Sequence, residues 1–303
     1  MLTLFTIPKA FAGHIKVIQD NALRSWLELG SACEIILFGD EHGTAEAARR
    51  YGVRHIPDID VNEYGTPLVS SAFALAEEHA THPLLAYLNA DIMVMTDFAR
   101  AVSLASQKRK RFLLVGQRWD IDLHEPWDFE HPEWQARLRH YVAECGELHP
   151  PYGSDYFAFP RGALEALPPF AVGRAGWDNW LIYRARRLRI PVIDASAVVT
   201  VVHQGHDYAH IPEGVDIDSW RGPETDRNLA MIGGRKRLFM LVDSTHILTS
   251  DGTRLALDRR RFWRHVETAP ILYPGLRVPA TLLLKLRYLV RRILKQIGLQ
   301  WPV

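Results

Sequence analysis

Three short stretches of the sequence hold side chains able to do more than pack. In LLAYLNADIMV (residues 84–94) an apolar run ends on Asn89, Ala90 and Asp91. A carboxylate just past a buried strand faces the open edge of a sheet, where it can hold a hard cation such as Mg2+ or Mn2+. In Gly176-Trp177-Asp178-Asn179-Trp180 an acid stands between two aromatic rings, and a carboxylate is a residue type that can serve as a general base. In VVTVVHQGHDY (residues 198–208) a buried run delivers His203 and His206 to a glycine-containing loop. A neutral imidazole there suits Mn2+ better than Mg2+. Each stretch also has a plain structural reading. Asp often closes a strand, an acid in a first helical turn meets the helix dipole, tryptophans belong in cores, and a histidine at a strand end is often polar packing.

Weaker signals fall at other expected strand ends. Thr6, Pro8 and Lys9 follow the first apolar run and Asp40 follows the second. Gln117-Arg118-Trp119-Asp120 follows a third, and Gly153-Ser154-Asp155-Tyr156 precedes the next.

The elements that must position these residues are legible from periodicity. Apolar, β-prone runs at residues 2–7, 34–38, 53–56, 84–88, 111–115, 156–159 and 191–202 predict strands. Residues 14–29, 44–51, 70–79, 97–107, 134–144 and 176–188 carry helical spacing. Strands alternating with helices predict an α/β fold with a mainly parallel sheet flanked by helices, and such sheets bind ligands at the strands' carboxyl ends. Residues 122–133 read as a long surface loop. Residues 239–242 and 246–248 suggest a hairpin extension. Three regions result: a catalytic domain over 1–235, a hairpin extension over 236–275 and a basic helical tail over 276–303.

With 48% hydrophobic and 23% charged residues the chain has material for a packed core and is not disordered. Two cysteines, Cys33 and Cys145, lie in no CxxC pair, which makes a reducing compartment the expectation. The first residues lack a basic segment followed by a long apolar one, so no signal peptide is expected, and no run of 18 apolar residues predicts a span. Residues 276–303 hold six Lys and Arg and no acid, leaving −5 on the rest of a chain whose net charge is +1. An acidic body argues against a nucleic-acid partner.

The succession of strand, Asp40, Asn89-Ala90-Asp91, acidic loop, Trp177-Asp178-Asn179 and His203 resembles bacterial glycosyltransferases of the GT-A type, family 2-like, over residues 2–206. The resemblance implies a GT-A, Rossmann-like fold and transfer of a sugar from a nucleoside-diphosphate donor, UDP being the commonest, to a carbohydrate or lipid-linked acceptor. Asn89-Ala90-Asp91 is similar to a shortened DxD motif, with Asn89 where the pattern has Asp. The resemblance then implies a Mn2+ or Mg2+ cofactor held by Asp91 and His203, neutralising the diphosphate leaving group. It places Thr6, Pro8, Lys9, Asp40 and Asn89 about the nucleotide. Arg118, Trp119, Asp120, Asp155, Trp177 and Asn179 fall about the donor sugar or acceptor. Asp178 is the candidate base of an inverting displacement.

Two enzymatic alternatives are less consistent with the residues. A sugar nucleotidyltransferase would carry a Gly-rich basic loop after the first strand, whereas TIPKAFAG has one Lys and one Gly. A dinucleotide oxidoreductase would carry GxGxxG. A catalytically silent sugar-binding or scaffold protein stays open through Asn89. In the tail, residues 280–297 set Leu282, Leu286, Leu289, Ile293 and Ile297 opposite Lys285, Arg287, Arg291, Arg292 and Lys295. That pattern suits a helix lying on an anionic membrane surface, which would make the protein cytoplasmic and peripheral on the inner face of the cytoplasmic membrane. It equally suits a stripe docked on the catalytic domain, or an oligomer contact.

Overall fold

The computed structural model describes residues 1–205 and 221–296. The N-terminal part alternates β1 (Leu2–Thr6), α1 (Gly13–Leu27), β2 (Cys33–Phe38), α2 (Thr44–Tyr51), β3 (Arg54–Ile56), α3 (Val69–His79) and β4 (Leu84–Leu88). Every residue of β1 is buried, as a strand covered on both faces requires. Next come β5 (Ile92–Met93), α4 (Thr96–Lys108), β6 (Leu113–Val115), β7 (Trp119–Ile121), α5 (Trp134–Cys145), β8 (Glu147–Leu148) and β9 (Tyr156–Pro160). The remainder holds α6 (Trp177–Arg187), β10 (Val192–Asp194), β11 (Val202–Gln204), α7 (Pro223–Ile232), β12 (His246–Thr249), β13 (Gly252–Leu255), α8 (Arg259–Leu272) and α9 (Arg277–Gln296).

One sheet runs β13-β12-β10-β6-β9-β4-β1-β2-β3. Its pairs are parallel at β1–β2, β1–β4, β2–β3, β6–β10 and β10–β12. The mainly parallel α/β sheet expected from the sequence is thus present. β9 runs antiparallel between β4 and β6. Chain order reverses between β1 and β4, and a doubly wound sheet opens a crevice at the carboxyl ends of such a pair.

Both faces of the sheet are covered. Leu2, Leu4, Ile35, Leu37, Ala86 and Leu88 share one core with Ala22, Leu23 and Trp26 of α1 and Phe98, Ala101 and Val102 of α4. On the other face Phe5 packs edge-on against Phe73 of α3 at 5.2 Å, and Tyr87 against Trp177 of α6 at the same distance. A second sheet, β5-β11-β7-β8, has its own core with Trp134, Leu138 and Val142 of α5.

Several expectations need correction. The strand read over residues 191–202 is two strands in different sheets. Asp194 Oδ1 accepts from the Ser196 amide at 3.0 Å and from Ser196 Oγ at 2.7 Å. That turn takes the chain out of the main sheet before β11 begins. Residues 239–242 form no strand, because the Met240 amide donates to Asp243 Oδ2 at 2.8 Å and closes a 3-10 turn over Leu241–Asp243. The hairpin is β12 with β13, and β12 extends the main sheet through parallel pairing with β10. Helices α7 and α8 lie outside the predicted elements, although Pro223 opens α7 and the Asp258 side chain caps α8.

The chain divides into compact units of residues 1–254 and 255–303. The second unit pairs α8 with α9. Within it Arg287 Nη1 lies 3.1 Å from Glu267 Oε1, and its guanidinium is 4.6 Å from the centre of the Trp263 ring. No described helix is long and apolar enough to cross a membrane. Cys33 and Cys145 are both free thiols, and burial pushes the Cys33 thiol up to about 11.

Candidate active site at the β1–β4 crevice

A cavity of about 930 Å³ opens at the carboxyl ends of β1 and β4, within residues 1–254. The loop after β1 contributes Pro8 and Lys9. Its backbone is clamped by Gln19 of α1, whose Oε1 accepts from the Lys9 amide at 2.7 Å while Nε2 donates to the Lys9 carbonyl at 2.9 Å. Thr6 does not reach the cavity, since it ends β1 with no exposed surface. Nor does Asp40, which is exposed outside the lining while its neighbour Glu41 faces in.

The turn after β4 brings in Asn89 and Asp91. Asn89 donates through its amide nitrogen to the Asp155 carbonyl at 2.9 Å and through Nδ2 to Asp155 Oδ1 at 2.8 Å. An Asp at position 89 would set two carboxylates within hydrogen-bond distance of each other, so the amide has a local cause. The other Asp155 oxygen accepts from Arg118 Nη1.

Arg118 also donates through Nε to Asp120 Oδ1 at 2.8 Å. Asp120 lies behind the cavity wall and joins three cationic or imidazole groups. It accepts from His149 Nδ1 at 2.6 Å and meets His203 Nδ1 at 2.9 Å. Burial would raise the Asp120 pKa, but the bonds from His149 and His203 and the Arg118 charge reverse that, holding the carboxyl far below the usual carboxylate range.

His203, on β11, turns its other nitrogen inward. Its Nε2 is 3.8 Å from Asp91 Oδ2, with 13% and 15% of the two side chains exposed. Burial disfavours a charge on His203, yet Asp91 and the bond to Asp120 outweigh it, and the pKa stands above the ordinary 6.5. Asp91 is fixed from behind by Gln204, whose Nε2 donates to the Asp91 carbonyl at 3.1 Å. His206 lies outside the described residues.

Across the cavity, α6 begins at Gly176 with φ of +94°. The φ demands glycine, and a Cβ there would lie 2.7 Å from Ile232 Cδ1, the end of a side chain that would have to shift. The next turn presents Asp178, whose Oδ2 accepts from the Ser154 amide at 3.1 Å. Burial raises the Asp178 pKa, against the opposing effect of the backbone donors. Trp177 edges the cavity but is buried among Tyr87, Phe73 and Phe157, and Trp180 packs on Phe170. Neither offers an open ring face. Asn179 reaches the lining while its Nδ2 donates to the Phe239 carbonyl at 2.8 Å, anchoring the segment after α7. Trp119 does not line the cavity and packs against the core of the second sheet.

Sequence reasoning missed several lining residues. His149 and Tyr152 enter on the loop before β9, and Tyr64 on the turn at residues 62–66. Arg174 lines the rim with its Nε and Nη2 at 2.9 and 2.7 Å from Glu224 Oε2. The signals were present as a histidine three residues before Tyr152 and an arginine two before Gly176. Neither has a period that marks it.

Among the described residues no group of three or more His, Cys, Asp or Glu is arranged to hold a metal ion. The Asp91–His203 pair is therefore the donor set in question. It combines a carboxylate oxygen and an imidazole nitrogen facing one space, which suits Mn2+ or Mg2+ where a ligand's oxygens and water complete the shell.

No family model matches the chain, and no curated protein matches it. Among solved structures, the chain is similar to Mycobacterium tuberculosis glucosyl-3-phosphoglycerate synthase at 15% identity, covering 78% of this chain and 80% of that one, with a TM-score of 0.45. The same enzyme with Mn2+, UDP and glucosyl-3-phosphoglycerate shows 14% identity, the same coverage and a TM-score of 0.45. Staphylococcus aureus TarS residues 1–349 with UDP-GlcNAc shows 14% identity over 40% of this chain and 35% of that one, with a TM-score of 0.30.

Proposed function

We propose that the chain is a metal-dependent glycosyltransferase of the GT-A type, moving a sugar from a nucleoside-diphosphate donor, UDP foremost, to a carbohydrate or lipid-linked acceptor. The observation that carries this reading is the facing pair Asp91 Oδ2 and His203 Nε2, 3.8 Å apart in the switch-point cavity, with the half-buried carboxylate of Asp178 on the same lining.

Asp91 and His203 would hold the Mn2+ or Mg2+, which when bound supplies positive charge against the diphosphate that leaves. Asp120, bonded to His203 Nδ1, fixes which imidazole nitrogen faces the cavity. The clamped backbone at Lys9, with Pro8, gives the nucleoside a rigid edge to bind. Arg118 and Asp155, locked together, present a fixed polar surface to sugar hydroxyls. Asp178 is the base that takes the proton from the attacking acceptor hydroxyl. Its raised pKa makes it more basic than an exposed carboxylate, and the Ser154 amide keeps its anion in place. A base acting on the acceptor implies a single displacement with inversion.

Asn89 leaves the silent binding-protein reading without its support, because the side chain is a donor required by Asp155. The reading is tested by a nucleotide-sugar screen. Thermal shift with Mn2+ present should show a raised midpoint for a nucleoside-diphosphate sugar, and slow donor hydrolysis should need the metal. A shift of equal size with chelator, and no hydrolysis of any donor, would overturn it.

A further inference from the structure

Helix α9 packs on Ala280, Leu284, Val290 and Leu294 and leaves a second apolar strip outward. At 3.6 residues per turn, Val278, Leu282, Leu286, Leu289 and Ile293 fall on one strip, and all five are exposed, from 47% at Ile293 to 68% at Val278. The packed side is roughly opposite and carries Arg287, whose guanidinium lies over Trp263 and pairs with Glu267 of α8. A surface helix in water normally turns polar residues to solvent, and a continuous exposed apolar strip marks an interaction site.

Charge points to an anionic occupant. Residues 255–303 hold ten Lys and Arg against Asp258 and Glu267, a net +8, leaving −7 on residues 1–254. Both acids are already ion-paired inside the unit, to Arg261 and Arg287. Lys285 and Arg292, both exposed, border the apolar strip along one edge. A second copy placed strip to strip would bring +8 against +8. An anionic lipid surface satisfies both halves, taking the leucine strip into the acyl boundary and the cations at headgroup level.

We propose that the α8–α9 unit is a peripheral membrane anchor that lays α9 flat on an anionic lipid leaflet. The anchor stands independently of the proposed transferase activity, since its residues lie in 255–303 and the cavity's within 1–254.

The test is co-sedimentation of the full chain with vesicles of phosphatidylcholine, with and without phosphatidylglycerol. The expected result is binding at least about tenfold stronger with phosphatidylglycerol, weakened by high salt. Leu286→Asp/Ile293→Asp and Lys285→Glu/Arg292→Glu should each lower it by about tenfold at unchanged melting temperature, because all four side chains are exposed. A pair that alters melting is replaced by Leu282→Ser/Leu289→Ser. Absence of pelleting at low salt, equal pelleting with neutral vesicles, or binding unmoved by either pair would overturn the proposal. A concentration-dependent dimer abolished by Leu286→Asp/Ile293→Asp, without vesicle binding, would show instead that a second copy covers the strip.

Discussion

Replacing Asp120 by Asn removes a charge from behind the cavity without changing shape. Both carboxylate oxygens are in use, Oδ1 by Arg118 Nε at 2.8 Å and His203 Nδ1 at 2.9 Å, Oδ2 by His149 Nδ1 at 2.6 Å. An amide has one oxygen, so at least one of these donors would face an NH2 group. His203 would lose the partner that sets its tautomer and ring plane. Losing such an outer partner lowers metal affinity by about 10–100-fold, which is about 1.4–2.8 kcal/mol of binding free energy. The assay is calorimetric titration of UDP at fixed Mn2+, repeated with chelator. The variant should lose the metal-dependent part of the affinity and keep the metal-free part. Equal affinities with Mn2+ would refute the positioning role. Loss of both parts with a lowered melting temperature would show Asp120 to be structural only.

Asp178→Asn should reduce turnover by about 10²–10⁴-fold while the donor dissociation constant stays near its original value; a matching loss of donor affinity would move Asp178 to the donor side. Gly176→Ala should lower stability by about 1–3 kcal/mol in a urea titration, since it strains a φ of +94° and drives a methyl to 2.7 Å from Ile232 Cδ1; an unchanged midpoint would mean α6 can begin elsewhere. His246 is buried between Arg109 Nη2 at 2.7 Å and Thr245 Oγ1 at 2.8 Å, and burial and then the Arg109 charge lower its pKa to about 4 from 6.5. A depressed folded pKa contributes stability that is full above 6.5 and is lost as pH falls from there towards 4. His246→Gln should therefore melt with a flatter pH dependence across that window, and an unchanged slope would exclude His246 as a source of acid sensitivity.

The sequence carried the β/α alternation because strands covered on both faces read as unbroken apolar runs, as in β1 and β4. It carried Asp91, Asp178 and His203 because polar residues stand out where such runs stop. It did not carry pairing direction. β9 has the apolar run of any central strand, and its antiparallel placement depends on partners distant in the chain. The split of residues 191–202 depends on one side chain, Asp194, folding back on Ser196, which no periodicity records. The motif places Asp120 about the donor sugar or acceptor, whereas its position behind the wall follows from β7 and β11 lying side by side in register, His203 against Asp120. Trp177 showed its type but not its direction, since an aromatic beside an acid fits a core as well as a cleft.

Calorimetry on Asp91→Ala tests the central claim most directly. Asp91 has no apolar packing role and sits on the cavity lining 3.8 Å from His203 Nε2, so the variant should fold with a melting temperature close to the parent's. The account predicts that UDP binds the parent more tightly in Mn2+ than in chelator, and that the variant shows the same weak affinity in both. A variant that retains the full Mn2+-dependent gain would contradict the metal site, and with it the glycosyl-transfer reading built on that site.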